Sequence, residues 1–198
     1  MQTTSQAIKA YAEALPEGAT LSARELLHLG ERAAVDQALS RLVRRGELLR
    51  VKRGLFALPM KTRFGSRAPS VEAVVEHIAK STGERVSQSG ASAANLLGIS
   101  TQNPSRQVFW TSGPSRHLKL GAQSVELKHV PSWQLRAPNS RAGHAFRALA
   151  YFGKTEAAQA LRRIKATLNE EEQRELLSLR AGAPTWMAKE LSALASSQ

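Results

Sequence analysis

Residues 32–58 read RAAVDQALSRLVRRGELLRVKRGLFAL, and the reading of this stretch decides the fold. Val35, Ala38, Leu39, Leu42 and Val43 recur at helical spacing and form one apolar face of a helix over Arg32 to Arg45. Gly46 is placed to end it as a left-handed C-cap. The opposite face carries Ala33, Gln37, Ser40, Arg41 and Arg44. After Gly46 the helical period gives way to short strand-forming runs. Glu47 to Val51 and Leu55 to Leu58 then form a hairpin with Lys52, Arg53 and Gly54 at its turn, and Leu49, Val51, Leu55 and Ala57, or their alternates, face the helices.

Upstream, Ala7, Ile8, Tyr11, Ala12 and Leu15 predict a helix from Ser5 to Leu15 that closes before Pro16. Ser22 and Glu25 have capping-box spacing, with Leu21 positioned as a hydrophobic staple. They predict a short second helix over Ala23 to Leu29, with Gly30 turning the chain out of it. Three helices followed by a two-stranded wing is the order of a winged helix-turn-helix, here assigned to residues 1–60.

The charge pattern says what such a domain would meet. From Arg41 to Arg67 there are nine Lys or Arg residues and one acid, Glu47. The whole chain carries a net charge of +12, and residues 1–68 hold 12 basic and 6 acidic groups. Cations packed this densely repel one another, whereas a polyanion releases a condensed counterion for each phosphate they neutralise. Gln pairs bidentately with adenine and Arg with guanine in the major groove. The residues expected to contact double-stranded DNA are therefore Arg32, Ala33, Gln37, Ser40, Arg41, Arg44 and Arg45 on the third helix. Arg50, Lys52 and Arg53 join them from the wing, and Lys61 and Arg63 from beyond it. Any single Gln or Arg is ordinarily just part of a solvated helix face; the wing that follows directly favours the groove reading.

Residues 61–70 lack periodicity, are bracketed by Pro59 and Pro69, and are expected to be a basic linker. The linker either follows the phosphate backbone or simply connects. Residues 71–198 are expected to form a second, partner-binding domain. Val71, Val74, Val75 and Ile78 predict a helix ended by Gly83. Ser89 caps an Ala-rich helix that stops at Gly98, and its small residues imply close approach by another element. Residues 107–111 read as a buried strand, and residues 117–130 as a hairpin. Helices are expected over 145–152, 156–168, 170–179 and 184–194. The fold class is thus α+β and mostly helical, with a winged helix, a small α+β unit and a C-terminal helical region.

Several function classes have no support. The chain has no cysteine, so disulfides, thiolate nucleophiles and the usual structural zinc sites are excluded. His28, His77, His117, His129 and His144 are scattered without a metal-ligand spacing. There is no serine elbow, P-loop or dinucleotide fingerprint. No enzyme activity, metal or cofactor is expected. No apolar stretch approaches the roughly 20 residues that span a bilayer, and no apolar signal region opens the chain. A soluble cytoplasmic location is expected.

The run from Leu29 to Gly46, with Arg53, Gly54, Leu55 and Phe56, resembles the winged-helix segment of AbiEi-type antitoxins of bacterial type IV toxin–antitoxin systems. The resemblance continues through Ser89 to Gly98 and Thr111 to Arg116, and more loosely into the C-terminal helices. It implies a transcriptional autorepressor that binds promoter inverted repeats and antagonises a nucleotidyltransferase-like toxin in phage defence, at the bacterial nucleoid. It carries over Ala33, Gln37, Arg41 and Arg44 as groove-facing positions, and Lys52 and Arg53 as wing contacts. No matched residue carries over a toxin-neutralising role, and members often have a larger C-terminal domain. The alternative is a winged-helix regulator of a mobile-element or defence locus without a toxin partner. The helices after Ala142 either supply a dimer interface or complete a core, so a monomer or a weak homodimer on DNA is expected.

Overall fold

The computed structural model describes residues 3–101 and 106–195. The fold is mixed α+β and mostly helical, and it divides into two compact units. One takes the chain up to Glu84 together with His117–Val125; the other takes Arg85–Arg116 and the chain from Glu126 onward.

The first unit opens with α1 (Thr4–Glu13), which Thr3 caps by a capping box with Gln6. Strand β1 (Thr20–Ser22) follows, then α2 (Arg32–Arg44) and the hairpin β2 (Leu49–Lys52) and β3 (Leu55–Ala57). The three strands form one antiparallel sheet in the order β1-β3-β2. Ile8, Ala12, Leu21, Leu26, Val35, Leu39, Leu42, Leu48 and Phe56 pack together as its core. The apolar face of α2 therefore lies where its periodicity put it, with Val43 partly buried at the margin. Val51 and Ala57 are buried, but Leu49 and Leu55 are only half-buried, and the register shifts between Arg50 and Lys52. Arg50 and Lys52 are both exposed on either side of a buried Val51, as strand alternation places them.

Two segments differ from expectation. Residues 23–29 form no α-helix, only turns and a 3-10 segment at Leu27–Leu29. The capping-box bonds are present: the Glu25 N–H donates to Ser22 Oγ at 3.4 Å, and the Ser22 N–H to Glu25 Oε2 at 3.0 Å. Yet Ser22 is already the last residue of β1, paired with Leu55, and too few residues remain before Gly30 to repay helix nucleation. Burial of Ala23 and Leu26 holds the segment instead.

The expected linker is also ordered. Met60–Thr62 and Gly65–Arg67 pair as a second hairpin, β4-β5. Thr62 Oγ1 closes its turn by donating to the Gly65 carbonyl at 2.8 Å and accepting from the Phe64 N–H at 3.2 Å. Helix α3 (Val71–Thr82), expected to begin the second domain, groups with the first unit. It sits so close to the α1–β1 turn that a Cβ on Gly18 would lie 2.5 Å from Ala73 Cβ.

Beyond α3 the chain forms β6 (Val86–Gln88), α4 (Gly90–Leu96), β7 (Gln107–Thr111), β8 (Arg116–Leu120) and β9 (Gln123–His129). Three helices follow: α5 (Arg141–Lys165), α6 (Glu170–Ser178) and α7 (Thr185–Ala195). The strands run in the order β6-β7-β9-β8, and the outer part of the β8-β9 hairpin counts with the first unit. Strand β7 is less buried than its sequence suggested, with Gln107 exposed and Val108 and Trp110 half-buried. The small residues of α4 do mark a close approach: a Cβ on Gly90 would lie 2.7 Å from both the Arg147 carbonyl and Tyr151 Cβ of α5. The two helices expected over 145–168 are arms of α5 that meet at Gly153 (φ 72, ψ −179). Phe146, Leu149, Ile164, Leu176, Met187 and Leu191 are among the residues of the second unit's core.

Candidate nucleic-acid interface

Helix α2 positions the expected groove-facing side chains by its period alone. With Val35, Ala38, Leu39 and Leu42 committed to the core, Ala33, Gln37, Arg41 and Arg44 are exposed and Ser40 is half-buried. Gln37, Ser40, Arg41 and Arg44 line one shallow surface groove together with Asp36. Arg41 Nε lies 3.4 Å from the Gln37 carbonyl, and Arg44 Nε 3.5 Å from the Ser40 carbonyl. Both guanidiniums thus fold back along the helix while their Nη groups remain unengaged by these bonds.

Arg32 and Arg45 are engaged differently. Arg32 Nε donates to Asp36 Oδ2 at 2.8 Å, one helical turn along. Arg45 Nε lies 2.7 Å from Glu47 Oε1, so its charge is directed to the loop after the helix rather than to the groove. Lys9 of α1 reaches the other oxygen, Glu47 Oε2, at 2.6 Å. The hydrogen bond from Lys9 is the main cause holding the Glu47 carboxyl below the usual carboxylate range, while partial desolvation works against it. The Glu47 hydrogen bond likewise pushes the Lys9 ammonium up.

On the β2-β3 hairpin, the expected wing, Lys52 and Arg53 are exposed, and Arg53-Gly54 is the two-residue loop between the Lys52 and Leu55 pair. Gly54 has φ +75, which this loop requires and a side chain rarely adopts. The Arg50 guanidinium sits 5.6 Å from the centroid of the Phe56 ring, so it lies along the sheet rather than at the tip. Lys61 is 3.4 Å from Glu13 Oε1, and Arg63 stacks over Phe64.

Four of the expected residues, Gln37, Ser40, Arg41 and Arg44, are therefore brought together on one helix face. Lys52 and Arg53 form a separate cationic tip, and Arg45, Arg50 and Lys61 are held by intramolecular partners. Sequence reasoning passed over Asp36, which lines the same groove. Its spacing of four from Arg32 was the available signal. Among the described residues no three His, Asp or Glu side chains come together as a metal ion would require. No helix among them is long and apolar enough to cross a membrane.

Comparison with known proteins places the chain. No curated protein matches it. Among solved structures it is similar to the RV2827C protein from Mycobacterium tuberculosis, with a TM-score of 0.52 and 19% sequence identity. The similarity covers 96% of this chain and 75% of that one, and at such identity it concerns the fold alone. The model of a family described as of unknown function, DUF6088, matches residues 7–176. With most of its length inside that match, the chain belongs to the DUF6088 family.

Proposed function

We propose that this protein is a sequence-reading DNA-binding autorepressor that also serves as the antitoxin of an AbiE-like type IV system. The observation that carries the DNA-binding part is the shared exposed face of α2. There Gln37, Ser40, Arg41 and Arg44 line one groove, with the Lys52-Arg53 wing tip following on the same unit. Hydrogen-bonding side chains on a helix backed by a cationic hairpin suit base edges in a major groove and phosphates beside it. The role is binding and not catalysis. The antitoxin part rests on the AbiEi resemblance of residues 29–46, 89–98 and 111–116, and assigns the second unit to a nucleotidyltransferase-like toxin.

The test is binding of the purified protein to duplex DNA from upstream of its own reading frame, against a scrambled duplex, across a salt series. A large specificity ratio at about 150 mM salt is expected of a repressor. Equal and steeply salt-dependent binding to both duplexes would reject sequence reading. A neighbouring nucleotidyltransferase gene whose toxicity this chain suppresses is the outcome expected of an antitoxin. A specific operator with no such toxin would leave a regulator of a mobile-element or defence locus.

A further inference from the structure

The β4-β5 hairpin presents Phe64 at its tip with 86% of its surface exposed. Large aromatic rings are seldom left so open, and two features of the hairpin make this ring unusual. Residues 60–67 contain Lys61, Arg63 and Arg67 and no acid. The Arg63 guanidinium stands 4.7 Å from the centroid of the Phe64 ring, so a cation travels with the aromatic face.

The base of the hairpin is fixed while its tip is free. Lys61 Nζ reaches Glu13 Oε1 at 3.4 Å, Arg67 Nη2 reaches Glu17 Oε1 at 3.7 Å, and the flanking Pro59 and Pro69 are buried. The two strands pair only with each other. Thr62, Arg63, Phe64, Gly65 and Ser66 are all exposed. A hairpin of three-residue strands is marginal by itself, so these anchors set the direction in which the loop projects.

We infer that Phe64 is a wedge for duplex DNA, stacking on or between bases while Arg63 meets the adjacent phosphate or minor groove. The inference rests on the DNA-binding reading above and extends it to a second contact element outside the helix and wing. One apolar ring flanked by cations is the chemistry of side chains that enter a base step. Stacking on a base needs only a free ring face and is tolerant of sequence. A protein interface would instead present a contiguous apolar patch with few charges at its centre, and here the neighbours of Phe64 are Thr62, Arg63, Gly65 and Ser66. A membrane surface would need a broad apolar face, which one ring does not supply.

The test uses the full chain, the upstream duplex and a scrambled duplex of equal length, with Phe64→Ala, Phe64→Trp and Arg41→Ala variants. Phe64 is exposed, so neither substitution at that position disturbs the core. Phe64→Ala is expected to weaken binding to both duplexes about tenfold, the scale of one lost base stack, with an unchanged salt slope because no charge is removed. Phe64→Trp is expected to keep parental affinity and to show DNA-dependent quenching beyond that of the parent's own tryptophans. Parental affinity in Phe64→Ala together with no added quenching in Phe64→Trp would overturn the wedge and leave the ring to a protein partner. Given that Phe64 result, a parent that discriminates between the duplexes and an Arg41→Ala that discriminates less would mean that only the wedge has failed. If the parent binds neither duplex, the DNA-binding reading has failed with it.

Discussion

Lys9 Nζ lies 2.6 Å from Glu47 Oε2 and ties the middle of α1 to a residue two positions past the α2 C-cap, Arg45. Arg45 holds the second oxygen of the same carboxylate at 2.7 Å. Glu47, the one acid between Arg41 and Arg67, thus neutralises a helix-terminal arginine and fixes the entry to the wing. Because its carboxyl is held below the usual range, the stabilisation is present above the ordinary Glu value of about 4.3 and is lost as pH falls through the lower folded value. Glu47→Gln is therefore expected to lower the melting temperature at neutral pH and to flatten its acid dependence below about pH 4. Thermal denaturation across pH checks this, and an unchanged acid limb in the variant would remove Glu47 from the account.

Arg41→Ala is expected to cost about 1–3 kcal/mol of operator binding and to relax preference at one base position. Arg53→Ala, at the wing tip, should instead reduce the slope of log affinity against log salt by about one and weaken all duplexes alike. Gel shifts over a salt series separate the two behaviours. Parental affinity in both variants would withdraw the recognition-helix and wing assignments.

Arg147 is fully buried in α5 and has no acidic partner in the hydrogen bonds that hold it. Its guanidinium donates to the carbonyls of Arg136, Ala137 and Pro138 at 3.1, 3.5 and 2.8 Å, and burial lowers its pKa to about 10. Those bonds clamp a loop in which Ala137 takes the unfavourable φ of +44. Arg147→Leu preserves apolar volume but strands the three carbonyls, and is expected to destabilise the second unit by about 3–5 kcal/mol. Denaturant unfolding measures it; a loss under about 1 kcal/mol would show that water replaces the guanidinium.

His144 lies one turn before Arg147 on the same helix. Burial, then the Arg147 and Arg141 charges, hold its imidazole below the usual value. A depressed folded value means the protein is stabilised above the ordinary His value of about 6.5 and loses that increment as pH falls through the folded value. His144→Gln should flatten stability against pH as pH falls below about 6.5, a window that opens above that of Glu47. Matching profiles for parent and variant would exclude the imidazole as the titrating group.

Gly18 and Gly46 both have positive φ, at +78 and +70, but they differ in surroundings. Gly46 has open space where a Cβ would go, so Gly46→Ala carries only the backbone strain, about 1 kcal/mol. Gly18→Ala adds a clash with Ala73 Cβ and the Ala73 and Val74 backbone, and should cost at least about 2 kcal/mol more. Equal melting temperatures for the two variants would mean that α3 can move away from the turn.

The groove face of α2 was legible because a helix held on one side by Val35, Ala38, Leu39 and Leu42 has no freedom about which residues it turns outward. The β2-β3 hairpin was legible because Gly54 marks a turn between two short strand-forming runs. The second helix was misread since capping-box chemistry is local, whereas pairing of Thr20, Leu21 and Ser22 with β3 is not. The β4-β5 hairpin was missed because its strands show no alternation. Its turn is closed by the Thr62 side chain, and its strands lie beside Glu13 and Glu17 from far back along the chain.

By itself the sequence determined the mixed α+β class, the position and outward face of α2, the β2-β3 hairpin and the concentration of charge around them. Each of these follows from periodicity, glycine placement or net charge, which act over a few neighbouring residues. Only the tertiary structure decided which cations stay available. Arg45 turns to Glu47, Lys61 to Glu13 and Arg32 to Asp36, all three still exposed, while Arg41 and Arg44 lie against carbonyls of their own helix and Lys52 and Arg53 are exposed at the hairpin turn. It also decided that α3 packs on Gly18 and that Phe64 stands clear of any core. A side chain's partner depends on what the folded backbone brings within a few ångströms of it, and neighbours 48 residues apart, such as Glu13 and Lys61, leave no periodic trace along the chain.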